Sequence, residues 1–90
     1  MNEQAVTYNG WSNRETWLAS MWLNNDEAMY GLLMDAYREH EPSYVQAERL
    51  KNTLCYALDE ECAGAGFWSD LIRTAFSRID WVEIIELNRA

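Results

Sequence analysis

Trp11-Ser12-Asn13-Arg14-Glu15-Thr16-Trp17-Leu18-Ala19-Ser20-Met21-Trp22-Leu23-Asn24-Asn25 is the stretch that decides the fold. Its polar start, Ser12-Asn13-Arg14-Glu15, fits the S-x-x-E capping box, in which a hydroxyl and a carboxylate each satisfy an orphan backbone N–H. Behind it Trp17, Leu18, Met21 and Trp22 fall at i, i+1, i+4 and i+5, the spacing of a helix with one apolar stripe. The stretch therefore predicts a helix that starts at Ser12 or Asn13 and ends at Asn24-Asn25. On this reading Ser12 and Glu15 cap the helix, while Trp11, Trp17 and Trp22 pack into a core.

The pattern continues downstream. Asn25-Asp26-Glu27 opens a second helix with acid at its positive end. Met29, Leu32, Leu33, Ala36 and Tyr37 form its inner face, and Glu41-Pro42 stops it, because the residue before proline avoids the α region. Ser43-Tyr44-Val45-Gln46 is a second capping-box candidate and begins the longest helix. Its apolar face is Ala47, Leu50, Leu54, Ala57 and Leu58. Glu61 falls on that same face, so either the helix frays there or the carboxylate sits at a contact edge. Ala63-Gly64-Ala65-Gly66 follows at once and favours fraying, since glycine commonly closes helices. Phe67 or Trp68 leads into a fourth helix with Trp68, Leu71, Ile72, Ala75, Phe76 and Ile79 inward. Asp80-Trp81-Val82-Glu83 caps a short fifth, with Trp81, Val82, Ile84 and Ile85 on one side and Asp80, Glu83 and Glu86 on the other. No stretch alternates with the period of two that a strand needs. The expected fold is all-α, a compact single domain of four to five short helices over residues 11–90, behind a short tail or extended segment at residues 1–10.

Composition supports one globular domain. Ninety residues allow no second one, and a chain this short has a thin core margin. Nearly half the residues are apolar and only one is proline, so disorder is excluded. Fifteen acidic residues against seven basic ones give a formal charge of −8. Direct nucleic-acid binding is disfavoured, because phosphate contacts need Lys and Arg, and anionic membranes are disfavoured for the same reason. A basic protein surface, or the nucleic-acid channel of another protein, is the partner that such a charge attracts. No apolar run is long enough to span a membrane, and no signal peptide is visible. Cys55 and Cys62 stand seven residues apart on one helix, roughly 10 Å at about 1.5 Å per residue. A disulfide needs Cα atoms within about 7 Å, so free thiols in a reducing cytoplasm are expected.

The usual catalytic constellations are missing. His40 is the only histidine; between Glu39 and Glu41 it reads as a partner for a helix C-terminal dipole. Cys55, Cys62 and the distant His40 match no zinc spacing. Gly64-Ala65-Gly66 lacks the third glycine of a dinucleotide loop, and Asp59-Glu60-Glu61 lacks the glycine and oxygen spacing of a calcium loop. The expectation is a non-enzymatic protein with no metal and no cofactor. Binding remains. Asp59, Glu60, Glu61 and Asp70 flank the glycine turn, and Asp80, Glu83 and Glu86 recur at i, i+3 and i+6. Carboxylates spaced along helices can imitate a nucleic-acid backbone and compete, as a DNA mimic, for a channel lined by Arg and Lys. The alternatives are that these carboxylates only face solvent, and that the chain is a regulatory module forming a homodimer through exposed apolar helix surface.

Tyr8-Asn9-Gly10-Trp11-Ser12-Asn13-Arg14-Glu15-Thr16-Trp17, with Trp22-Leu23-Asn24-Asn25-Asp26-Glu27 behind it, resembles a family of small proteins encoded by phages, plasmids and other mobile elements. Their shared pattern is similar to G-W-[S/T]-N-x-E-T-W followed by a Trp-bearing helix and an N-[D/E]-E start. Asp80-Trp81-Val82-Glu83-Ile84-Ile85 resembles the family's closing helix. The resemblance implies a setting rather than an activity. By analogy with other small acidic proteins of such elements, it implies an inhibitor of a host defence complex, of anti-CRISPR or anti-restriction type, acting in the host cytoplasm.

Overall fold

The structure, a computed structural model, describes residues 10–62 and 64–89. Tyr8 and Asn9 of the motif, and the expected tail apart from Gly10, lie outside the described residues. Five helices follow in order: α1 (Arg14–Asn25), α2 (Glu27–Ala36), α3 (Ser43–Glu61), α4 (Phe67–Ser77) and α5 (Trp81–Asn88). No strand occurs among the described residues, and the fold is all-α.

Local chemistry sets the helix ends, in part by other means than the sequence suggests. Asn13, rather than Ser12, caps α1: its Oδ1 accepts from the Thr16 amide at 2.8 Å. Asp26 caps α2 by accepting from Met29 N at 3.1 Å, and Asp80 caps α5 by accepting from Glu83 N at 3.1 Å. The Ser43–Gln46 capping box does not form. α3 starts at Ser43 behind Pro42 without a side-chain cap, because Arg89 takes both groups, donating to Ser43 Oγ at 3.1 Å and Gln46 Oε1 at 2.7 Å. α2 ends at Ala36, well before Pro42. There the Tyr37 and Arg38 amides close a tightened last turn onto Met34 O and Asp35 O, and Arg49 donates to Ala36 O at 3.0 Å. His40 consequently sits exposed in the α2–α3 loop, beyond the last turn in which a helix dipole acts. α3 does not fray at Glu61; Cys62 N still donates to Leu58 O at 2.8 Å. Glu61 is the carboxylate at a contact edge.

The core joins four of the five helices. Leu23 of α1, Leu33 and Ala36 of α2, Ala47 and Leu50 of α3, and Trp81, Ile84 and Ile85 of α5 are buried together. Fully burying an aliphatic side chain of this size contributes about 1.5–3 kcal/mol. α4 contributes no buried residue.

α1 is rotated from the orientation that its apolar stripe suggests. Thr16, Ser20 and Leu23 are its buried residues, while Leu18, Met21 and Trp22 are exposed and Trp17 is half-buried. The cause is a polar ladder to α5. Thr16 Oγ1 accepts from Asp80 N at 2.9 Å, Ser20 Oγ accepts from Asn88 Nδ2 at 3.2 Å, and Asn24 Nδ2 donates to Asn88 Oδ1 at 2.9 Å. These three side chains stand at i, i+4 and i+8, one face of the helix. Of the motif's tryptophans, Trp11 packs against the core.

The rest of the motif clamps the α4–α5 corner onto the start of α1. Glu83 accepts from the Ser12 hydroxyl at 2.7 Å and from the Ser12 amide at 3.1 Å. Asn13 Nδ2 donates to Arg78 O at 2.8 Å, and Glu15 pairs with Arg78 at 3.3 Å. The Glu15 carboxyl is held below its usual range, first by its own backbone amide and then by the Arg78 guanidinium.

Candidate functional site

With the α4–α5 corner fixed and the core complete without α4, the fourth helix stands off and leaves a groove. Leu18 and Trp22 of α1 form one wall, Leu54 and Leu58 of α3 another, and Ile72 and Phe76 of α4 the third. Met29, Ile79 and Trp81 also line it, and the volume is about 520 Å³, within the roughly 300–1,000 Å³ common for ligand sites. The lining is almost wholly apolar, and its charged members are Glu15 and Glu61. The groove thus gathers the outward stripe of α1 and the C-terminal half of the α3 face.

Two anchors hold α4 beside it. From the middle of the helix, Arg73 donates to Asp59 Oδ1 at 2.8 Å and to Cys62 O at 3.0 Å. The Asp59 hydrogen bond pushes the guanidinium pKa above its ordinary value. Near its C-terminal end, Phe76 lies against Trp81 with ring centroids 5.3 Å apart. The connection from α3 turns through Gly64 at φ +92° and Gly66 at φ +152°, conformations open to glycine and strained for other residues.

α4 continues the groove's apolar surface into solvent. Trp68 and Leu71, expected to face inward, are 70% and 51% exposed, and Phe67 is 72% exposed. Phe67 and Trp68 stack edge to face at 5.0 Å. Ile72 at 43% and Trp22 at 54% join this surface to the groove walls.

The seven carboxylates that the sequence singles out do not share one environment. Asp59 is paired with Arg73, Asp80 is a helix cap, and Glu83 holds Ser12. Glu86 is exposed on α5. Glu60, Glu61 and Asp70 are exposed at the α3–α4 corner and form no ion pair among the described residues. Cys55 and Cys62 are free and half-buried, with Cys62 on the groove lining. Among the described residues no three His, Cys, Asp or Glu side chains gather as a metal site, and no helix is long and apolar enough to cross a membrane.

The groove is not legible in the sequence because its walls carry core-like residues at core-like spacing. The signal that could have found it is the second stripe of α1. Thr16, Ser20 and Asn24 at i, i+4 and i+8 are small or amide side chains suited to a hydrogen-bonded helix interface. A helix with two such faces cannot bury both in a domain of this size.

A small all-α domain carrying an open apolar groove with an acidic edge is the class that fold and site define. The chain belongs to DUF7249, a family of unknown function, which matches residues 4–89. No curated protein and no solved structure matches it.

Proposed function

We propose that this protein is a non-enzymatic binding module that engages a basic protein partner through the groove between α1, α3 and α4. The observation that carries this reading is the open apolar groove of about 520 Å³, continuous with the unpartnered face of α4. With aromatic side chains of about 150–250 Å² each, the exposed parts of Trp22, Phe67, Trp68, Leu71 and Ile72 amount to on the order of 600 Å². That is the upper end of the largest apolar patch on an ordinary monomer, roughly 300–600 Å². It also approaches the roughly 800 Å² per partner of a standard protein–protein interface. Aromatic side chains such as Trp and Phe are enriched among those that anchor such interfaces. The formal charge of −8 and the unpaired acids at the α3–α4 corner steer a basic partner and repel an acidic one. A host defence complex whose nucleic-acid channel is lined by Lys and Arg has this chemistry, and its inhibition is the cellular role we assign to the module.

Affinity capture from a host lysate tests the reading when three tagged forms are compared: wild type, Ile72→Asp in the groove wall, and Tyr44→Asp, an exposed site outside the groove. The expected result is one basic protein or complex retained by wild type and Tyr44→Asp and lost with Ile72→Asp. Equal retention by all three forms contradicts it.

A further inference from the structure

The walls of the groove limit what can lie in it. They are mostly turns of α1, α3 and α4, whose backbone N–H and C=O groups, away from the helix ends, are already bonded within their helices. The lining residues outside the helices are Cys62 and Ile79; their amides are bonded to Leu58 O and Phe76 O, and Cys62 O accepts from Arg73. The few polar groups of the lining include the Glu15 and Glu61 carboxylates. An extended segment entering here leaves its own backbone groups without partners, and each unpaired buried group opposes binding. An α-helix brings its backbone bonds with it. From the groove reading proposed above, on which this step rests, we infer that the occupant is an amphipathic α-helix of another protein. It presents aliphatic or aromatic residues at i, i+4 and i+7 to the groove and Lys or Arg beside the α3–α4 corner.

Length and charge both fit that occupant. α4 has eleven residues, roughly 16 Å at about 1.5 Å per residue, and a stripe from i to i+7 spans about 10 Å. Glu60, Glu61 and Asp70 place uncompensated negative charge at one end of this length. At the other end Glu15 is paired with Arg78, so the field along the groove is polarised. The helix therefore binds in one direction, with its basic end at the corner. A second copy of this chain is the wrong occupant by the same argument. It carries −8 itself, and its α4 offers one Asp and one Arg with no surplus positive charge. An anionic amphiphile meets the same repulsion.

The probes are two synthetic amphipathic peptides of about fifteen residues, long enough to hold a helix, with Leu at i, i+4, i+7 and i+11. One carries Lys on its flanks and the other Glu. Binding to the full chain is followed by tryptophan fluorescence, and the mass of the species in solution is measured in parallel. The expected result is saturable binding of the Lys peptide and at least tenfold weaker binding of the Glu peptide. Glu60→Gln with Glu61→Gln is expected to weaken the Lys peptide severalfold, and Ile72→Asp to abolish its binding. Equal affinity for the two peptides overturns the charge assignment. Failure of both peptides, while Ile72→Asp still loses the captured partner, overturns the helical occupant and leaves the groove reading standing. Binding that survives Ile72→Asp overturns both. A concentration-dependent doubling of mass that Ile72→Asp removes assigns the groove to a second copy and overturns the inference.

Discussion

Thr16 is fully buried yet polar, and its position explains why α1 turns the face it does. Its hydroxyl accepts from Asp80 N at 2.9 Å, one of the donors at the start of α5. Thr16→Val keeps the shape and removes the acceptor, leaving that amide without its partner at a cost of about 1–3 kcal/mol. The urea midpoint is expected to fall accordingly; an unchanged midpoint contradicts the clamp. Tyr37 makes a second long-range tie, donating its hydroxyl to Ile85 O at 2.6 Å beneath the Arg89 guanidinium, 5.8 Å from the ring centre. Burial raises its pKa, against a smaller lowering by Arg89. A folded-state pKa above the unfolded value of about 10 means that the protonated form is favoured by folding. This contribution is complete below about pH 10 and is lost as pH rises through the folded value. As pH rises above about 10, stability is therefore expected to fall more steeply for wild type than for Tyr37→Phe. Identical slopes contradict the assignment.

At the scale of elements, α4 differs from its neighbours. It buries no side chain fully and is held by Arg73 at its middle and by the Phe76–Trp81 contact near its C-terminal end. Its amides are expected to exchange with solvent faster than those of α3 and α5, since local stability follows buried contact. Protection equal to α5 contradicts the description. Helix number and order were legible from sequence because caps and breakers are local: Asp26, Asp80 and the Gly64–Gly66 turn all act where the pattern places them. Which face of α1 points inward was not legible. Apolar period ranks Leu18 and Trp22 above Thr16 and Ser20, and only the distant Asp80 and Asn88 reverse that order. The Ser12–Glu15 and Ser43–Gln46 boxes fail for a related reason, as Glu83 and Arg89 recruit Ser12, Ser43 and Gln46 from far along the chain. The acidic residues were visible as types, but their division into caps, pairs and unpaired groups depends on where α4 rests.

For the molecule as a whole, the buried core lies on α1, α2, α3 and α5, and the exposed apolar face of α4 lies outside it. Ile85→Ala, at a site with no solvent exposure, is expected to cost about 2–5 kcal/mol through cavity formation. Leu71→Asp, on the exposed face of α4, is expected to change stability by no more than about 0.5 kcal/mol. A large loss of stability from Leu71→Asp, read by thermal unfolding, places α4 in the core after all. The most direct measurement of the central claim is hydrogen exchange of the whole chain, alone and with its captured partner bound. New protection is expected in Leu18–Trp22, in Leu54–Cys62 and along α4, with α5 beyond Trp81 unchanged. Protection confined to α5 around Glu83 and Glu86, with the groove walls exchanging as before, contradicts it.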